Sequence, residues 1–287
     1  MMTSASITLT PLERQHRRAV DDLLFHTDQV HTHLDWYEPI EWLSQHAVPV
    51  RLAWHGKRLA GLLAVSQPLN GASWVRIAAL DNHGPADTIF PALWNDLLVE
   101  LRTLKIETVS LLVMRPWIKS YLRELHFDFV EDVVTLERNG THLPEPPTAP
   151  VRIRHLQPAD LLRAARIDQA AFGPPWHMTF EEVRQASRIA EICTVAECSG
   201  QIVGYQISTL YHSAAHLARL AVDPAFQGQG IGSALLYDLL RRLIQRRLTT
   251  ITVNTQASNL RSQRLYQRFG FQRNGYDLPV WCYTLPR

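Results

Sequence analysis

The spacing of apolar residues resolves the second half of the chain into short elements. Leu217-Ala218-Arg219-Leu220-Ala221-Val222 is a brief, mostly apolar run of strand character. Residues 233–248 follow with Leu235, Leu236, Leu239, Leu240, Leu243 and Ile244 at helical spacing. Upstream, residues 151–155 read as a strand, and residues 158–172 set Leu161, Ala164, Ala165, Ala171 and Phe172 on one side of a helix. Thr179-Phe180-Glu181-Glu182 is a capping box that opens a second helix. Residues 191–198 and 201–210 form a hairpin about Ser199-Gly200. Downstream, a strand through Asn254 leads to a short helix that Ser258 or Asn259 caps and Gly270 stops, and a final hairpin runs through residues 280–285. The order is strand, two helices, three strands, helix, strand, helix, two strands. This predicts a mixed α/β (α+β) fold, a central mixed sheet flanked by helices.

The pattern occurs twice. Pro91-Ala92-Leu93-Trp94-Asn95-Asp96-Leu97-Leu98 lines up with Ser233-Ala234-Leu235-Leu236-Tyr237-Asp238-Leu239-Leu240. Gly56-Lys57-Arg58-Leu59-Ala60-Gly61 lines up with Ser199-Gly200-Gln201-Ile202-Val203-Gly204, and the segment around Tyr121-Leu122 with that around Leu265-Tyr266. A near-constant offset over three elements is an internal repeat. Between the copies, residues 139–150 are rich in proline and read as an extended, stiff linker. The expected organisation is a first domain over 1–138, a linker over 139–150 and a second domain over 151–287.

Candidate chemistry gathers at the start of the leucine-rich helix, where Gln227-Gly228-Gln229-Gly230-Ile231-Gly232-Ser233 joins strand to helix. A glycine-rich turn that opens a helix presents unpaired N–H groups and the positive end of the helix dipole to an anion. A Walker loop is excluded because no Lys-Ser/Thr pair follows, and a Rossmann fingerprint because the glycines are spaced Gly-x-Gly-x-Gly. The spacing Gln-x-x-Gly-x-Gly, given by Gln227, Gly230 and Gly232, resembles the pyrophosphate loop of the GNAT superfamily of N-acetyltransferases. A second motif lies in the expected place: a strand, Asn259, the small residue Ser262, then Leu265-Tyr266 and Phe269-Gly270-Phe271. Its pattern is that of the same superfamily.

The resemblance implies two tandem GNAT folds and an acetyl-coenzyme A-dependent acyltransferase. It implies that acetyl-coenzyme A is held by residues Gln227, Gly228, Gln229, Gly230, Ile231, Gly232 and Ser233, by the strand segment Leu220, Ala221 and Val222, and by Asn259, Ser262 and Tyr266. In that fold two neighbouring strands splay and the thioester arm lies in the gap, paired with the backbone of residues such as Leu220 and Val222. Tyr266 matches the tyrosine that serves as acid or thiol-side donor in many members. His216 occupies the strand position where some members carry a catalytic glutamate, and a histidine accepts a proton near neutral pH; His212 and Glu197 are further candidates. Pro174-Pro175-Trp176-His177 resembles the acceptor-side loop of ribosomal-protein N-terminal acetyltransferases, which carry a glutamate base at the place of Asn254. In the first copy the loop falls on Pro85, Ala86, Asp87, Thr88 and Phe90. Proline offers no N–H, an aspartate repels phosphate, and Phe90 blocks close backbone approach. That copy is expected to keep the fold without the cofactor site.

Composition narrows the remaining choices. A chain of 287 residues with 46% hydrophobic residues suits two cores, and a net charge of +2 gives no bulk attraction to nucleic acid or membranes. Cys193, Cys198 and Cys282 lack paired metal spacing, so no metal is expected. Residues 1–6 lack the features of a signal peptide and no apolar run reaches the ~20 residues of a membrane helix, so a cytoplasmic location is expected. The expected acceptor is a small-molecule amine or a peptide or protein amine. The expected assembly is a monomer whose copies pack as a pseudo-dimer, or a homodimer. A mycothiol-synthase-like enzyme acting on a sugar-linked cysteinyl amine, and a non-catalytic acyl-coenzyme A sensor, fit the same glycine loop; a sensor has no need of Tyr266.

Overall fold

The computed structural model describes residues 7–45 and 48–286. Residues 1–6, read above for a signal peptide, lie outside the described residues. In chain order the first elements are β1 (Ile7–Pro11), α1 (Arg17–His26), β2 (Gln29–Thr32), α2 (Pro39–Gln45), β3 (Val50–His55), β4 (Arg58–Val65) and β5 (Ala72–Leu80). Next come α3 (Ala86–Thr103), β6 (Thr108–Leu112), α4 (Pro116–Leu122) and β7 (Asp128–Asn139). The second set is β8 (Arg152–His155), α5 (Leu161–Ala171), α6 (Phe180–Ile189), β9 (Ile192–Cys198), β10 (Gln201–Leu210) and β11 (Ala214–Val222). It ends with α7 (Ile231–Gln245), β12 (Thr250–Gln256), α8 (Leu260–Arg268), β13 (Gln272–Arg273) and β14 (Leu278–Thr284).

These elements form two compact units, one of Met1–Glu131 with Leu278–Arg287 and one of Asp132–Asp277. The units depart from the boundaries expected at 138 and 151, because each sheet is completed by a strand from the far side of the proline-rich segment. In the first unit β14 pairs antiparallel with β6, Val280 opposite Leu112, and buries Trp281 and Tyr283 among Trp94, Leu97 and Phe127. The expected final hairpin of the second unit is therefore not formed. Most of β7 takes that place, pairing antiparallel with β12 from Thr250↔Asn139 to Gln256↔Val133 and burying Val134 and Leu136.

The first unit has the order β1-β3-β4-β5-β6-β14. Its β5 runs parallel to β6 only over Ala72–Trp74 and then parts from it. β4 occupies the other edge of β5, with Gly61 opposite Leu80. The edge that β6 leaves is taken by β2, antiparallel, from Gln29↔Leu80 to Thr32↔Ile77. His33 N–H continues the ladder to Arg76 O at 2.8 Å. The gap between the splayed strands is thus filled by the chain itself.

The second unit has the order β7-β12-β11-β10-β9-β8, with α5 and α6 packed on β10 and α7 on β9, β10 and β11. Residues 139–150 are not a free spacer. Arg138 donates Nε to Phe269 O (2.8 Å), Nη1 to Gly140 O (2.9 Å) and Nη2 to His142 O. Leu143 packs against the core that holds Leu236 and Leu243, and Thr148 and Ala149 lie against Gly230. Among the described residues no helix is long and apolar enough to cross a membrane.

Candidate active site

In the second unit no strand among the described residues fills the gap. β11 runs parallel to β12 from Ala214↔Thr250 to Leu217↔Val253 and then leaves it. A bulge opposite Ile207 and Ser208 leaves Ala218 without a partner on β10. Such a bulge turns the strand locally. Beyond it Arg219 faces Ile207 and Ala221 faces Tyr205, and Asp223 N–H bonds Val203 O at 2.9 Å. Hydrogen-bonded pairs alternate along an antiparallel ladder. Residues 219, 221 and 223 therefore spend their peptide groups on β10; Leu220 turns its own, and Val222 its N–H, toward the gap, while Val222 O accepts from Gln227.

The glycine loop closes one end of this gap. Gly228 and Gly230 have φ of +85° and +78°, a region that a Cβ disfavours, and Gly230 is the N-cap of α7. No side chain caps that helix. Its first bond runs from Ala234 N–H to Gly230 O, which leaves the N–H groups of Ile231, Gly232 and Ser233 without a partner inside the helix. Gln227 is tied on both sides: its Nε2 donates to Val222 O at 2.9 Å, and Arg261 on α8 donates to its Oε1. A Cβ on Gly232 would stand 3.4 Å from Leu265 and 3.8 Å from Leu220, so the small residue seats the first turn of α7 close to β11 and α8. This donor set, with no carboxylate among residues 227–233, fits a pyrophosphate group.

Tyr266 lies on the helix that Asn259 starts. The Asn259 side chain caps α8 by accepting from Ser262 N–H at 3.1 Å, so these two residues shape the helix. Tyr266 is 5% exposed and packs with Leu217, Val253 and Phe269, 5.6 Å from the ring of Phe271. Burial pushes its phenol well above the ordinary range, and the charge of Arg219 opposes that shift. It is a proton-bearing donor at any physiological pH.

His216 stands where β11 and β12 are still paired, opposite Thr252, with Nδ1 2.9 Å from Thr252 Oγ1. That is the closed end of the gap. Glu197 is engaged by Arg154 Nε at 2.7 Å, and His212 is exposed in the turn between β10 and β11. Asn254 is exposed on β12, opposite Thr135. Among the described residues no three His, Cys, Asp or Glu side chains gather as a metal site.

One network escapes the sequence reading. Asp168, fully buried on α5, receives Arg219 Nε and Nη2 at 2.6 and 2.7 Å, Tyr205 OH at 2.5 Å and Met178 N–H at 2.6 Å. Arg219 Nη2 also donates to Trp176 O at 2.7 Å, and its guanidinium lies 3.6 Å above the ring of Phe172. Burial and then the Asp168 charge push the Tyr205 phenol up, and Asp168 holds Arg219 protonated against the cost of its burial. The one visible signal is an arginine inside an apolar strand, which implies a buried partner. Arg261 gave no signal of its own.

The sequence model of the acetyltransferase (GNAT) family matches residues 161–271. The [ribosomal protein bS18]-alanine N-acetyltransferase of Escherichia coli K12 is 32% identical over 119 residues, 42% of this chain and 79% of that protein. The chain belongs to the GNAT family of acetyltransferases. The Haemophilus ducreyi enzyme of the same name is 31% identical over 125 residues, covering 42% of this chain and 85% of its own. Among solved structures, a tandem GNAT protein from the clavulanic acid biosynthesis pathway superposes over 98% of this chain and 100% of its own, with TM-score 0.68 and 13% identity. A GCN5-related N-acetyltransferase from Kribbella flavida covers 99% of this chain and 72% of its own, with TM-score 0.72 and 9% identity. The fold is thus two tandem GNAT folds, and the protein is an acyltransferase of the N-acetyltransferase class.

Proposed function

We propose that the second unit moves an acetyl group from acetyl-coenzyme A to a primary amine by direct attack in a ternary complex. The observation that carries this reading is the combination, along β11, of an uncapped glycine-shaped helix start after Val222, a strand edge turned away from β10, and a buried tyrosine packed with Leu217. The N–H groups of residues 228–233 would hold the pyrophosphate, and Leu220 and Val222 would pair with the pantetheine amides as an added strand does. The uncharged amine attacks the thioester carbonyl carbon. The oxygen gains charge beside a backbone N–H of Leu220 or Val222, and the carbon–sulfur bond breaks. Because burial keeps Tyr266 protonated, its part is a hydrogen bond to the departing sulfur, not full transfer of its proton to a thiolate of ordinary basicity.

His216 is the proposed base, acting through a water chain toward the gap. The pH–rate profile of His216→Ala checks this: loss of the acidic limb supports the role, and a retained limb excludes it. The acceptor class is a small-molecule, peptide or protein amine, the last supported by the named substrate of the bacterial relatives. Free thiol released from acetyl-coenzyme A is the assay, run with simple amines, a cysteinyl sugar amine and an alanine-initiated peptide. Turnover with any of them supports catalysis; binding of acetyl-coenzyme A without turnover by the whole panel favours a sensor.

The first unit is proposed to hold no coenzyme A. Pro85, Asp87 and Phe90 replace the loop, and β2 already occupies the edge of β5 that the thioester arm would need. Titration calorimetry should give a stoichiometry near one coenzyme A per chain. A value near two would overturn the assignment.

A further inference from the structure

The two units carry the same strand pair with opposite contents in the gap, and the difference falls on three side chains. Gly61 faces Leu80 in the first unit as Gly204 faces Val222 in the second, and both ladders shift at the same step, after Ala64 and after Ile207. In this frame Ile77 stands for Arg219 and Leu62 for Tyr205. The short 3-10 turns ahead of α1 and α5, each with its capping box, set Leu24 in the place of Asp168. Leu62 and Ile77 are buried in one apolar cluster, and Leu24 packs against it. The polar trio of the second unit is therefore an aliphatic trio in the first.

The segment after the first helix behaves accordingly. In the first unit it enters the gap as β2 and pairs with Ile77–Leu80, the counterparts of Arg219–Val222. In the second unit it is held on both sides of His177: Trp176 O by Arg219, and Met178 N–H by Asp168. Phe172, at its start, lies under the same guanidinium. We propose that the Asp168–Arg219 pair is a positioning device that ties residues 172–178 to α5 and keeps them out of the β11–β12 gap, so that the edge of Leu220 and Val222 stays free for the thioester arm and the acceptor wall stays fixed. The role of that edge rests on the function proposed above; the tie itself does not.

The test uses the full chain with Asp168→Leu, Tyr205→Phe and Arg219→Met combined. Replacing the buried ionic group together with its side-chain partners avoids leaving an orphan charge, and the first unit already packs an apolar version. The melting temperature should stay within a few degrees of wild type. Hydrogen exchange at residues 172–178 should change, and the coenzyme A dissociation constant should rise at least tenfold. Arg219→Lys keeps the charge but, as a single point donor, cannot serve Asp168 bidentately and Trp176 O together. It should show an intermediate rise, which also serves if the triple variant fails to fold. Wild-type affinity in both variants, or unchanged exchange at residues 172–178, overturns the proposal. If wild type itself binds no coenzyme A, the proposed function falls, while the exchange pattern still decides whether the pair holds the segment.

Discussion

Tyr266→Phe should lower kcat about a hundredfold and leave the coenzyme A dissociation constant within a factor of three. Losing a donor aimed at charge that develops in the transition state costs on the order of 10²–10³ in rate, whereas the pyrophosphate loop and the strand edge are untouched. The ring itself is kept, so its packing with Leu217, Val253 and Phe269 persists and folding should be unaffected. Its phenol, raised by burial, does not ionise in the working range, so the variant should scale the pH–rate profile down without moving its limbs. Steady-state kinetics over pH beside a binding titration make the check. An unchanged kcat removes Tyr266 from the mechanism.

Acidification should destabilise the first unit well before carboxylates protonate. His31 is fully buried on β2, and its ring lies beside the backbone of Val75 with neither nitrogen closing a hydrogen bond of good geometry. Burial holds its pKa down at about 4 against 6.5, and Arg115 adds to the effect. His33, buried next to it with Arg76 nearby, is lowered for the same reasons. The charged groups beside the pair, Arg115 and Arg76, are basic and disfavour the imidazolium, and the backbone of Val75 offsets burial only in part. The fold binds the neutral ring and the unfolded chain binds the proton more readily. Stability is therefore whole above about pH 6.5 and is lost progressively as pH falls toward 4, by about 3 kcal/mol for His31 alone. Asp160, whose carboxyl Arg154 holds below its ordinary value, contributes to losses only at lower pH. Denaturant midpoints followed by a probe in the first unit, at pH 7.5 and 4.5, should show the loss, and His31→Leu should flatten it. A variant with the wild-type slope would place the cause elsewhere.

What the sequence discloses follows from where the physical demand is local. Gly228 and Gly230 advertise their left-handed backbone, and Asn259 its cap, because each requirement is met by the residue itself. The repeat is legible for the same reason, since helix α3 and helix α7 carry matching apolar spacing. Strand partnership is another matter. Val134 and Leu136, or Trp281 and Tyr283, show by alternation that a face is buried, but alternation is silent on which sheet receives it. The expected closing hairpin was lost on that point. β2 was invisible because Gln29-Val30-His31-Thr32 has neither length nor a clear period. The Asp168–Arg219 contact joins a helix to a strand far along the chain, and only the oddity of Arg219 in an apolar run pointed to it.

The placement of β14 has a consequence for how this protein is made. The first unit needs Leu278–Thr284 to close its sheet, and those residues are translated after the whole of the second unit. The second unit needs β7, which is translated before its own β8. At roughly 5–20 residues per second, the first unit waits roughly 7–28 seconds after β7 is translated for its last strand. The first unit is thus completed only after the second has been translated, and premature termination anywhere within the second unit leaves an unpaired edge on β6 in the unit that carries no proposed chemistry.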